Sequence, residues 1–311
     1  MDLRDAFFSR MYENLKDNDD FVILTVDVDA FMLSNFRKFF PDRIIDVGVS
    51  EQNAINVASG LARCGKRVFV YGLSPFIIMR AYEQIKVNLF DVPRVTIIGL
   101  GAGFSFSYDG HTHHSIHDTT IMRTLPNWSI YNISDTKSAY YVADQVTKFD
   151  GLSYVRLDKG SFDTVEGDIH WSGYRVVKPV SNDLNIITTG TMIHDVLHVL
   201  GDSNYSTVGV VEFLKIHPLD ISDVFGCEVS FGTAIAVEES TDFGGIATRM
   251  RDQFYDFEHR PDIHNVCVTN SEYTRYGTRE YLKTVSGVGK LQIKATIDYV
   301  MKKLAVIKRV R

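Results

Sequence analysis

Short apolar runs rich in β-branched and aromatic residues alternate along this chain with longer segments of helical periodicity. Val22–Val26, Val68–Tyr71, Val95–Leu100 and Tyr154–Leu157 read as buried strands. A second set follows at Asn185–Thr189, Val208–Val211, Ala234–Val237 and Val266–Val268. Helices are predicted between them over Gln52–Arg63, Phe76–Phe90 and Lys137–Lys148. Alternation of this kind predicts an α/β fold, with parallel sheets covered by helices on both faces. One helix carries signals at both ends. Ser50 is placed as its N-cap, Ala54, Ile55, Val57, Ala58, Leu61 and Ala62 form a stripe at 3.6 spacing, and Gly65 supplies the stop. Glu51 therefore falls at the first helical position, just past a loop. The stretch Gly160–Asn182 has no long periodic run and carries Gly160, Gly167, Gly173 and Pro179. It reads as the crossing between two doubly wound units, residues 1–165 and 178–311.

Length agrees with that division, since 311 residues at about 150 per domain give two. Apolar residues are 45 % and charged residues 23 %, enough apolar surface to offset the entropy of ordering. No apolar run approaches the roughly 18 residues of a transmembrane helix, and Met1–Arg10 reads as an amphipathic helix start rather than a signal peptide. The net charge of −6 lacks the basic face that nucleic acid requires. Lys302, Lys303, Lys308, Arg309 and Arg311 read as a solvated helix end. Three cysteines, Cys64, Cys227 and Cys267, lie far apart with no CxxC spacing, which predicts reduced thiols in a cytoplasmic protein.

The densest polar cluster is Tyr108–Asp118, with four histidines and two aspartates in eleven residues. It admits three readings. It could be a polar surface loop. It could hold a metal, since His113 and His117 would share a face on a helix, although the zinc pattern HExxH is absent. It could touch substrate, because it follows the strand Val95–Leu100 and ligands of open α/β sheets bind beyond the carboxyl ends of strands. Two further stretches stand out. In Asp46-Val47-Gly48-Val49-Ser50-Glu51-Gln52-Asn53, a first-turn glutamate suits the helix dipole. Phe76–Ile85 reads as the start of an amphipathic helix. Neither a P-loop, a GxGxxG turn into a helix, nor a GxSxG elbow occurs.

Taken in order, these segments resemble the thiamine-diphosphate enzymes of the transketolase family. The resemblance covers the pyrimidine-binding domain and the C-terminal domain of that family. Asp46–Asn53 is similar to its glutamate motif, and Asp109-Gly110-His111-Thr112-His113 through Asp118 to its "DGPTHQ…ED" loop. Met122–Asn127 is similar to "MRALPN". Ile216–Asp220, Glu238-Glu239 and Gly244-Gly245 resemble markers of the third domain. The family's GDG…N pattern, which holds the diphosphate and its Mg²⁺, is missing. The resemblance thus implies the small subunit of a split transketolase, whose larger partner carries the diphosphate-binding domain and Mg²⁺, in an α2β2 heterotetramer. Its reaction would move a two-carbon ketol unit from a ketose to an aldose through a carbanion on the cofactor.

The same resemblance implies residue roles. Glu51 matches the catalytic glutamate that hydrogen-bonds N1′ of the aminopyrimidine and shares a proton with it. Phe76 matches an aromatic that stacks on that ring. A second aromatic, three residues earlier, is Leu73 here. Asp27 falls near a cofactor-side aspartate. Asp109 and His113 match contacts to sugar hydroxyls, His113 with a part in proton transfer. Arg156 matches an arginine that binds the substrate phosphate. Two phosphate-side positions depart from the family, a histidine falling at Gly101 and a serine near Phe31. That departure implies a substrate whose far end is not a simple terminal phosphate, such as a modified or nucleotide-linked sugar. The alternatives are a 2-oxoacid dehydrogenase β subunit, a deoxyxylulose-phosphate-synthase-like enzyme, and a non-catalytic subunit that keeps the fold.

Overall fold

A computed structural model describes residues 1–201, 205–225, 232–255, 260–269 and 271–310, the side chains of 271, 272, 309 and 310 excepted. Cys227 and Arg311 lie outside the described residues, as does the Arg309 side chain.

The first half alternates as its periodicity predicts. Its elements are α1 (Leu3–Leu15), β1 (Phe21–Thr25), α2 (Leu33–Phe39), β2 (Ile44–Asp46), α3 (Glu51–Arg63), β3 (Arg67–Leu73), α4 (Tyr82–Asn88), β4 (Val95–Leu100), α5 (Asp118–Met122), β5 (Trp128–Asn132), α6 (Thr136–Lys148) and β6 (Leu152–Leu157). The second half adds β7 (Tyr174–Lys178), β8 (Leu184–Thr188), α7 (Met192–Leu200), β9 (Gly209–Phe213), β10 (Lys215–His217), α8 (Ser222–Phe225), β11 (Thr233–Thr241), α9 (Ile246–Gln253), β12 (Asp262–Val268), α10 (Arg279–Val285) and α11 (Lys290–Val310).

A seven-stranded sheet has the order β10-β5-β6-β4-β3-β1-β2, parallel except for β10. A five-stranded sheet has the order β12-β11-β8-β9-β7, parallel except for β7. The register of the first sheet decides what its carboxyl edge presents. Leu73 of β3 pairs with Leu100 of β4, and Leu100 pairs with Leu157 of β6. The segments leaving these strands, 74–76, 101–103 and 158–160, therefore emerge side by side.

Two differences from the sequence reading concern the join between the halves. The segment 160–182 is not all linker, because β7 pairs antiparallel with β9 as an edge strand of the second sheet. Tyr174–Lys178 thus belong to the second sheet although they lie within the stretch read as the crossing. In addition, β10 leaves the second half to pair with β5 of the first sheet. Packing follows the same path. One apolar cluster runs from Ile55, Val70 and Ile97 through Trp128 and Ile130 to Val211, Ala236 and Met250. Others cover the opposite faces, with Phe7, Phe21 and Val142 on the first sheet and Ile186, Val196 and Ile297 on the second.

His217 sits where β10 docks. Burial and the nearby Arg123, Arg249 and Lys215 push its imidazole down to about 4. A histidine held neutral in the folded state, but free to protonate when unfolded, lowers stability as pH falls. The loss begins below its ordinary pKa of about 6.5 and continues until the folded group titrates. His217→Asn should therefore flatten the fall of Tm between pH 6.5 and 4 relative to the parent chain, read by thermal melts. Identical slopes would contradict this placement of the charge.

Candidate functional site

The carboxyl edge of the first sheet gathers most of the polar groups singled out in the sequence. α3 is responsible for the central one. Its inner face buries Ala54, Ile55, Ala58 and Ala62 against the sheet, and the same face carries Glu51, only 4 % exposed, at the first turn. The approach is a tight loop. Gly48 has a φ of +69°, and its N–H donates to Asp46 Oδ1 at 2.9 Å. Ser50 precedes the helix, but its hydroxyl donates back to the Val47 carbonyl at 2.7 Å instead of capping α3. Gly65, with φ of +87°, ends the helix region as expected.

The segment predicted as one helix over Phe76–Phe90 divides. Phe76–Arg80 form a π turn and α4 follows. Ile77 and Ile78 face the core, while Phe76 is half-buried at the edge. Arg80 Nη1 donates to Glu51 Oε2 at 2.8 Å, and the guanidinium lies 4.7 Å from the Phe76 ring centroid. The Phe76 ring also meets His113, in an edge arrangement with centroids 4.9 Å apart. Glu51, Arg80, Phe76 and His113 thus form one contiguous row.

The histidine-rich loop is not the helix that a shared face for His113 and His117 requires, because α5 begins only at Asp118. Among the described residues no three His, Cys, Asp or Glu side chains come together as metal ligands. The four histidines separate by environment. His111 is exposed. His113 is half-buried, with Thr112 Oγ1 3.0 Å from its Nδ1. His114 is buried, donates from Nδ1 to the Tyr273 carbonyl at 2.7 Å, and burial pushes its titration down. Burial lowers His117 likewise. Asp109 is exposed on a short 3₁₀ turn over Ser107–Asp109. Asp27 is exposed just beyond β1, with φ of +51° and its N–H 3.3 Å from Asp46 Oδ1.

Arg156 lies in β6, inside the first sheet. It is only 2 % exposed. Its Nε donates to Asp118 Oδ2 at 2.9 Å, and its Nη2 to the carbonyls of Ser115 at 2.5 Å and Glu239 at 3.1 Å. Asp118 also accepts from the Tyr154 hydroxyl at 2.6 Å. A guanidinium held by these groups anchors the loop to the sheet.

The departures at Gly101 and Phe31 also have a structural setting. Gly101 adopts φ of +97°, and the Phe106 ring packs where a side chain at this position would lie. Lys159 sits over the same ring, 4.1 Å from its centroid. Phe31 is 78 % exposed.

A second charged cluster locks the loop from the other half of the chain. Arg279 bridges Asp158 and Glu239, at 2.6 Å each, and Glu239 Oε1 accepts the Phe104 N–H at 3.0 Å. Glu239, which stands out in the sequence only as a marker, is therefore what fixes the start of the loop that carries His113. Sequence reasoning misses the roles of Arg80, Asp118 and Arg279. Arg80 lies within a stretch that reads as core helix. Asp118 ends the polar cluster, and nothing marks Arg279.

The residues at this edge fit a flat nitrogen heterocycle. A buried carboxylate, a half-buried aromatic face and an imidazole converge, and the carboxylate already accepts an in-plane N–H from a planar cation.

Comparison with known proteins gives the following likenesses. Residues 1–164 match the family model described as transketolase, pyrimidine binding domain. An apulose-4-phosphate transketolase subunit of Phocaeicola vulgatus is 29 % identical over 255 residues, covering 78 % of this chain and 80 % of that protein. A 6-deoxy-6-sulfo-D-fructose transketolase subunit of Clostridium sp. is 28 % identical over 253 residues, covering 79 % and 78 %. A solved split-gene transketolase, described as an inactive β4 tetramer, superposes with a TM-score of 0.83 at 24 % identity, over 98 % of both chains.

Proposed function

The chain belongs to the transketolase family through its pyrimidine-binding domain, and from that premise we propose that it is the small subunit of a split, thiamine-diphosphate-dependent transketolase. The observation that carries this reading is the buried Glu51 carboxylate at the start of α3, beside Phe76 and His113. Bound thiamine diphosphate supplies the carbon nucleophile that takes up and releases the two-carbon ketol unit.

This chain's residues orient the cofactor and govern protons. Glu51 would hydrogen-bond N1′ of the aminopyrimidine and hold a proton there. Phe76 stacks on the ring. Asp27 lines the same edge from the end of β1. His113 and Asp109 hydrogen-bond the sugar hydroxyls. With Thr112 on its Nδ1, His113 keeps Nε2 for that task. Arg156 holds the loop through Asp118, and its burial supports that role over a contact to the substrate phosphate.

Relatives named as transketolase subunits support a partner chain that holds the diphosphate and Mg²⁺. Exposed apolar side chains near the edge support a docked partner: Val49 is 71 % exposed, two residues before Glu51, and Met79 is 40 % exposed, one residue before Arg80. An α2β2 assembly places two such sites at interfaces. The two relatives' names specify a sugar 4-phosphate and a 6-sulfo sugar. They support an unusual ketose as the donor; the sulfo sugar is in keeping with the changed positions Gly101 and Phe31, whereas the sugar phosphate is not.

The test is reconstitution of this chain with its partner, thiamine diphosphate and Mg²⁺, followed by assay against a panel of ketoses and against 2-oxo acids. Ketol transfer from a ketose to an aldose, with no turnover of 2-oxo acids, is the expected result. Turnover of 2-oxo acids alone would move the chain to the 2-oxoacid dehydrogenase branch. Cofactor binding without turnover of any ketose would favour a non-catalytic subunit.

A further inference from the structure

Arg80 stands at the centre of the row yet has no role in the reaction described above. A π turn is wider than an α turn, and here it brings residue 80 back over residue 76. The guanidinium consequently covers the Phe76 ring at 4.7 Å while reaching Glu51 Oε2 at 2.8 Å. Gln52 Nε2 donates to the Arg80 carbonyl at 3.3 Å and ties this turn to the start of α3.

One planar cation thereby engages both surfaces that a flat nitrogen ring would need, the carboxylate and the aromatic face. A guanidinium offers in-plane N–H donors and a stacking face. A protonated aminopyrimidine offers the same two contacts. A buried carboxylate without a partner is costly, so the free chain needs a cation at this point. The two partners differ in burial. The Glu51 side chain is 5 % exposed and that of Arg80 is 48 % exposed, on a long stem that can turn to water.

We propose that Arg80 is a placeholder for the cofactor's aminopyrimidine, occupying the seat between Glu51 and Phe76 before the cofactor binds and swinging into solvent when it does. The proposal rests on the functional reading above and makes Arg80 a positioning residue. It carries a signature opposite to that of an ordinary binding-site arginine. Because the seat must be vacated first, the apparent affinity is reduced by the population of the arginine-in state. Removing the guanidinium should then tighten binding.

The experiment uses the full chain, reconstituted with the partner that carries the diphosphate-binding domain. Thiamine diphosphate with Mg²⁺ is titrated by calorimetry into the parent complex and into Arg80→Met and Arg80→Gln complexes. Both variants should bind about 3- to 10-fold more tightly. Melting of the full chain alone reads the ion pair separately. Arg80→Met should lower Tm by about 2–4 °C, and adding Glu51→Gln should restore it. Equal or weaker cofactor binding by both variants would overturn the proposal, as would an Arg80→Met chain that melts like the parent. A parent complex that binds no thiamine diphosphate would remove the functional reading and the proposal with it. Binding by the parent with no gain in the variants would remove the proposal alone.

Discussion

Glu51→Gln in the reconstituted complex should lower kcat by about 10²- to 10⁴-fold, the range contributed by a positioned acid–base group. Thiamine diphosphate binding should change by no more than a few-fold. The substitution preserves shape, and Gln can still hydrogen-bond a ring nitrogen, but an amide cannot take and return the proton. The site's geometry makes the comparison clean. Glu51 lies at the first turn of a helix packed by Ala54, Ile55, Ala58 and Ala62, so its backbone is held whatever its side chain does. Steady-state kinetics at saturating donor, with calorimetric titration of the cofactor, read the two effects apart. Undiminished kcat would remove Glu51 from the mechanism.

The second large effect is on stability. Arg156→Met leaves Asp118 buried, at 1 % exposure, without its cation. It also takes one donor from each of the carbonyls of Ser115 and Glu239. Removing one partner of a buried pair costs about 3–5 kcal/mol. Denaturant unfolding should show a loss of that order, and Asp118→Asn in the same background should recover part of it. The ratio of KM for a phosphorylated sugar to KM for its neutral counterpart should stay at the parent value. A chain of parent stability with a raised KM for the phosphorylated sugar alone would return Arg156 to the substrate.

Arg156 also marks the limit of what the sequence makes legible. The strand Tyr154–Leu157 reads as buried, and an arginine in a strand covered on both faces cannot aim at solvent. Its carboxylate, Asp118, is 38 positions away, so no local pattern announces the pair. Glu51 is legible because α3 has a strong apolar stripe and a glycine stop. The Ser50 cap is half right, since the position holds but the hydroxyl bonds elsewhere. The division at Arg80 is not legible, because a π turn and an α-helix share their apolar positions over five residues. β7 escapes notice as an edge strand in a glycine-containing stretch, where one half-exposed face leaves no continuous apolar run. β10 is three residues long and takes its partner from the other sheet. The histidine cluster suggests a metal site only if it is helical, and the chain turns there instead.

The central claim is that the Glu51 carboxylate of this chain meets a coenzyme whose charged tail another polypeptide grips. Its most direct test is a crystal structure of the reconstituted pair with thiamine diphosphate and Mg²⁺. The account predicts Glu51 within hydrogen-bond distance, about 2.7–3.0 Å, of the pyrimidine N1′, with Phe76 against the ring and Arg80 turned out. A pyrimidine bound elsewhere, or Glu51 directed away from it, would contradict the account.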